Sequence, residues 1–343
     1  MRASKHILAT LLSTTIAAGS FALPAMADGE VNLYSSRHYD TDERLYSDFE
    51  DATGITINRI EGNADELIER LKSEGSLSPA DILLTVDAGR IWRAQEADLF
   101  QPFDSALLEE KIPAELQQTD NLWLGFSTRA RMIFYAKDRV SEPPQTYAEL
   151  ADPKYKGQVC ARSSSNIYML SLLAAQIAQN GEEAAKNWAQ GLVDNFAREP
   201  QGGDTDQLRA VISGECDIVL ANSYYFARGL RTKVDGLSAD IGQIGWVFPN
   251  QESTGTHINV SAAGLLKNAP NKANAMLFLE YLASDSAQNY LASGNDEFPV
   301  VEGVGLSASV SKLGEFRADN LNLSALGENQ AKAQKIYNTV GYK

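Results

Sequence analysis

Tyr224 and Tyr225 stand side by side just after the apolar run Asp217-Ile218-Val219-Leu220-Ala221, and Arg228 follows within one helical turn. The passage from a strand to a helix is where open α/β sheets bind ligands. This junction brings two phenols and a guanidinium to such a place. A phenol titrates near a pH of about 10, so a cluster of phenols loses its protons at neutral pH only to a strongly charged cation. The hard cation that suits phenolate oxygen is iron(III).

Two further segments repeat the order of strand, polar junction and helix: Leu33-Tyr34-Ser35-Ser36-Arg37-His38-Tyr39-Asp40 and Cys160-Ala161-Arg162-Ser163-Ser164-Ser165-Asn166-Ile167-Tyr168. Four of the 13 tyrosines, Tyr39, Tyr168, Tyr224 and Tyr225, therefore lie at junctions, with His38 beside the first. The hydroxyl and amide side chains there can cap the helix that follows, and its positive end favours a phenolate. Taken singly, each tyrosine reads as packing or as a ring stacked on an organic ligand. Together, four hard oxygens and one imidazole nitrogen fill most of an iron shell, and three or four phenolates neutralise the metal's charge. Arg228 is expected to bond a ligating oxygen or an anion and so favour the phenolate form. Arg37 and Arg162 are weaker candidates for the same task, and His257 reads as a hydrogen-bonded core histidine.

The elements that carry these junctions alternate. A strand at 31–34, a helix at 42–53 closed by Gly54, a strand at 55–60, a charged amphipathic helix at 64–75 and a buried strand at 80–86 form a βαβαβ unit of a doubly wound sheet. A second set follows: a long strand at 126–136, a short one at 159–161, helices at 166–179, 182–195 and 204–213, and the strand at 217–221. The extended stretch 256–266 leads into a helix at 271–283, and 306–343 reads as helical turns. No linker separates two beads, so the chain is expected to cross between two lobes along 126–136 and 255–261 and to hinge there.

Arg2 and Lys5, the apolar run Ile7 to Pro24 and Ala25-Met26-Ala27 read as a secretory signal cleaved after Ala27, with no later membrane span. The remainder has 28 Lys and Arg against 45 Asp and Glu, a balance of −17 that repels nucleic acid and anionic lipid. Its size favours two lobes. Cys160 and Cys216, eight residues before Tyr168 and Tyr224 respectively, can form a disulfide after export or remain as two buried thiols. No Gly-x-Ser-x-Gly, phosphate loop, Cys-x-x-Cys or paired carboxylates propose a catalytic nucleophile.

The segments Tyr34 to Tyr39, Ser76 to Val86 with Ser78-Pro79-Ala80-Asp81, Arg162 to Tyr168 and Asn222 to Arg228 resemble the periplasmic iron(III)-binding proteins of ABC importers, in order and over nearly the whole mature chain. The chain is similar in particular to their tyrosine-rich branch. That resemblance implies an α/β type II periplasmic binding protein fold of two doubly wound lobes joined by crossing hinge strands. It implies Tyr39, Tyr168, Tyr224 and Tyr225 as ligands, with His38 a variable fifth. The better-known branch uses a histidine, a carboxylate, two adjacent tyrosines and a phosphate ion. Here Val86 stands near the carboxylate's place, Asp87 ranks below the tyrosines as a substitute, and the identity of any synergistic anion stays open.

The expected lobes are 28–128 with 256–300, supplying His38 and Tyr39, and 129–255 with 301–343, supplying Tyr168, Tyr224, Tyr225 and Arg228. The expectation is a periplasmic, monomeric, non-enzymatic protein that carries ferric iron to an inner-membrane ABC permease. A binding protein for a polyamine or phosphonate, with the tyrosines as an aromatic box, is the first alternative. A secreted iron-dependent enzyme is the second.

Overall fold

The computed structural model describes residues 29–37 and 40–343. The expected signal 1–27 and two expected donors, His38 and Tyr39, lie outside the described residues.

Nine strands are described: β1 (Gly29–Ser35), β2 (Ile55–Glu61), β3 (Ile82–Val86), β4 (Leu124–Ala136), β5 (Val159–Cys160), β6 (Ile218–Asn222), β7 (Ile244–Val247), β8 (Ile258–Leu265) and β9 (Phe298–Pro299). Their spatial order is β2-β1-β3-β8-β4-β6-β5, with β7 and β9 also on β4. The parallel pairs β1 with β2, β1 with β3 and β5 with β6 are joined by helical crossovers, as the alternating pattern requires. Strand β4 serves two groups of strands. Its first half, 124–130, pairs with β8, and its second half, 131–136, with β6 and β7. Just beyond the β4–β8 register, Arg131 N–H donates to the His257 carbonyl at 2.9 Å. The α/β fold with crossing strands is the one expected from the alternating elements.

Burial explains why the strands read as apolar runs. Around β1, β3 and β8, Leu33, Ile82, Leu84, Val260 and Phe278 share one core with Phe49 and Phe126. Around β6 the side chains alternate between two cores. Ile133, Ile218 and Leu220 face Leu173 and Trp188, whereas Met132, Phe134, Val219 and Ala221 face Leu208 and Phe226. The helix Ser324–Glu328 packs against both Ala88–Glu96 and Ile167–Asn180, and Leu326 enters the first core.

Cys160, the last residue of β5, is disulfide-bonded to Cys216, two residues before β6, with Cα atoms 5.9 Å apart. The bridge spans a sequence separation of 56, which the chain-entropy model values at about 4 kcal/mol. It fastens together the roots of the two segments that lead to Tyr168 and to Tyr224 and Tyr225.

Candidate metal centre

Tyr168 is the second residue of the helix Ile167–Asn180, and Asn166 caps that helix by accepting from the Tyr168 N–H at 3.1 Å. Tyr224 and Tyr225 occupy the first turn of Ser223–Arg231, directly after β6. The Tyr168 and Tyr224 hydroxyls approach to 3.3 Å, and the Tyr224 and Tyr225 rings lie 4.2 Å apart between centres at 30°. Three phenols thus gather at the positive ends of two helices, where oxyanions are favoured. Asn222, expected to cap the second helix, makes no side-chain cap bond; its Oδ1 accepts from Arg131 at 3.1 Å.

Four guanidinium groups surround the phenols. The Arg162 and Arg131 guanidinium carbons lie 5.3 Å and 5.8 Å from the Tyr168 ring centre, that of Arg129 lies 5.9 Å from Tyr224, and that of Arg228 lies 5.4 Å from Tyr225. Arg228 is half-buried and donates to Thr205 Oγ1 at 3.4 Å, so it stands beside the phenols as its helical spacing requires. Burial opposes the Arg162 charge, but Asp204 and the phenols Tyr225, Tyr168 and Tyr224 outweigh it and hold its pKa above the ordinary guanidinium value. The Coulomb interaction is mutual: a cation that phenolates stabilise also stabilises phenolates.

Sequence reading missed the groups beneath. Arg129 and Arg131 lie on β4 and are almost fully buried, as are Asp204 and Glu297. Asp204 accepts from Arg131 at 2.7 Å and from the Asn222 N–H at 2.8 Å, and Arg162 also reaches it. Glu297 accepts from Arg129 at 2.5 Å, Ser127 at 2.7 Å and Arg37 at 3.2 Å. The signal available was two arginines two residues apart in a largely apolar strand, which puts both on one face.

Arg37, Asp87 and His257 all lie in buried polar networks. Arg37 is committed to Asp42 through bonds of 2.9 Å and 2.8 Å and to Glu297 and Ser261, within a buried network. Asp87, the substitute carboxylate, is wholly buried and accepts from Ser171, Asn259 and Gly89, each at 2.8 Å. Those donors hold the carboxylate among Ser171, Asn259 and Gly89. His257 is buried as expected, but its backbone N–H, not its Nδ1, carries the hydrogen bond, to Tyr147 Oη at 3.1 Å. Among the described residues no group of three or more His, Cys, Asp or Glu side chains could hold a metal ion.

The protein is, by fold, of the two-lobed type II periplasmic binding class, with a cluster of phenols at its strand-to-helix junctions. Over residues 44–318 the chain matches, and belongs to, the family of bacterial extracellular solute-binding proteins. It is 53% identical over 315 residues to Iron uptake protein A1 of Synechocystis sp., covering 92% of this chain and 88% of that protein. It is 26% identical over 334 residues to the Major ferric iron-binding protein of Neisseria meningitidis, covering 95% and 97%. Among solved structures, Trichodesmium FutA (IdiA) in complex with iron and citrate matches with a TM-score of 0.88 and 51% identity, over 92% of this chain and all of that one.

Removing the cation nearest Tyr225 weakens the phenolate form. If these phenols hold iron, Arg228→Ala is expected to raise the pH at which the metal is lost by roughly one unit, given a charge at this separation in a partly screened site. A pH titration of the visible band reads this shift; an unchanged midpoint leaves Arg228 without a role at the phenols.

Proposed function

We propose that this chain is a periplasmic binding protein that captures ferric iron between its lobes and delivers it to an inner-membrane ABC permease. The observation that carries this reading is the convergence of Tyr168, Tyr224 and Tyr225, with hydroxyls of the first two 3.3 Å apart, among four guanidinium groups. Phenols that close to one another and to cations suit a trivalent metal that takes their protons. Relatives whose names state iron uptake or ferric binding, aligned over nine-tenths of the chain, support it.

The opposite lobe contributes His38 and Tyr39 in this proposal. Arg37, the residue before them, shares Glu297 with Arg129, and Arg129 lies 5.9 Å from Tyr224, so the end of β1 approaches the tyrosine pair. We assign 28–128 with 256–300 to one lobe and 129–255 with 301–343 to the other, with the helix Ser324–Glu328 packed against both. The metal then acts as a cross-link that selects the closed arrangement, because only that arrangement offers every donor. Reduction to iron(II), protonation of phenolates, or opening by the permease frees it. The protein works as a monomer and turns nothing over.

Titration of the purified exported chain with ferric citrate tests this. One retained iron per chain with a purple or red phenolate band is expected. A colourless solution without stoichiometric iron overturns the reading and leaves the aromatic-box alternative, in which stacked tyrosines hold an organic cation.

A further inference from the structure

The helix Ile167–Asn180 carries Tyr168 at its start and, one turn on, the wholly buried Ser171. The Ser171 hydroxyl lies 2.8 Å from both oxygens of Asp87, a residue that directly follows β3 on the opposite side of the crossing strands. Asp87 is itself held on all sides. Its N–H donates to the Val260 carbonyl on β8 at 2.8 Å, and its carboxylate accepts from Gly89 N–H and from Asn259 Nδ2, also on β8. Asn259 Oδ1 in turn accepts from the Ala88 and Val260 N–H groups, each at 2.8 Å.

Two features set this contact apart from ordinary helix capping. Asp87 has φ 89° and ψ 123°, a strained backbone for any residue with a Cβ. Its carboxylate is also fully buried without an ion-pair partner among the described residues, although serine or threonine could cap the helix Ala88–Glu96 at less desolvation cost. A strained, buried carboxylate is kept where its full acceptor capacity is used. Here that capacity reaches the helix that presents Tyr168.

We propose that Asp87 is a positioning residue for Tyr168: through Ser171 it pins the Tyr168 helix to the opposite lobe, so that the phenol meets the iron at a set distance. This rests on the reading of Tyr168 as a ligand. The pin is three residues from Tyr168, so a shift of the helix there moves the phenol with it.

A double-mutant cycle in the full exported chain tests the proposal, with ferric affinity measured by citrate competition and the phenolate band recorded for each variant. Ser171→Ala keeps the helix, since alanine is its best former, and is expected to lower affinity by about tenfold and to shift the band. In a Tyr168→Phe background the same substitution is expected to change neither quantity. Equal losses in both backgrounds, or no loss with wild-type Tyr168, overturn the positioning role while leaving iron binding intact. A wild-type chain that retains no ferric ion overturns the iron reading instead, and the two failures are told apart by that single measurement.

Discussion

Tyr224→Phe strips most of the visible colour from the iron-loaded protein and weakens ferric binding by on the order of a thousandfold, beyond the roughly 10–100-fold that follows loss of a group outside the ligand shell. The substitution is almost isosteric. Tyr224 is buried and its ring packs against that of Tyr225, contacts that phenylalanine preserves, so the change removes one oxygen and little else. That oxygen lies 3.3 Å from the Tyr168 hydroxyl, on a residue in the first turn of the helix Ser223–Arg231 whose ring centre lies 5.9 Å from the Arg129 guanidinium carbon. In the proposed shell its loss takes away a negative ligand that water replaces poorly on a trivalent ion. Absorbance and chelator competition measure the effect, and an unchanged melting temperature of the iron-free protein excludes a folding defect. Wild-type colour and affinity in this variant would remove Tyr224 from the shell.

Glu297→Gln costs the iron-free protein about 3–5 kcal/mol, the usual penalty for removing one member of a buried ionic cluster. Glu297 is the shared anion of Arg37 and Arg129, and all three are almost fully buried. Asp42 still pairs with Arg37 in the variant, whereas Arg129 loses its carboxylate. Burial works to raise the Glu297 pKa, but Arg37, Arg129 and the Ser127 hydroxyl prevail and lower it from the ordinary 4.5. A lowered folded-state value means that its stabilisation is complete above 4.5 and disappears as the pH falls through that lower value. Urea unfolding of wild type and variant at neutral pH and in acid measures both effects, and the gap between them narrows in acid. A neutral-pH difference below about 1 kcal/mol would show that the buried arginines do not depend on the Glu297 charge.

Local pattern carried much of this structure. The helix at 204–213 lies where the sequence puts it, and the long strand begins only two residues earlier than expected. Both are announced by apolar patterning, although the long strand pairs with β6, β7 and β8, all far along the chain. The junctions at Tyr168 and at Tyr224 and Tyr225 were legible for the same reason, since each is a strand end followed by a helix start. The charged floor was not. Arg131 finds Asp204 after 73 residues and Arg129 finds Glu297 after 168, so nothing near either arginine announces that its charge is balanced. The cap on the helix Ser223–Arg231 failed for a related reason: a partner from β4 claimed the Asn222 amide first. The helix Ala88–Glu96 escaped notice because it starts at a residue whose backbone is unfavourable on its own and is held by β8 and Ser171.

Strand β4 changes partners between Ala130 and Arg131, from β8 to β6. In the hinge motion proposed above, displacement grows with distance from the axis, so atoms near this changeover travel least. Arg129 and Arg131 flank it and bond to opposite sides, Glu297 and Asp204. Their positive field therefore stays nearly constant at Tyr168 and Tyr224 as the mouth swings wide. If the lobes part as proposed, opening withdraws the far wall from the cargo and leaves the electrostatic ground beneath the phenols in place.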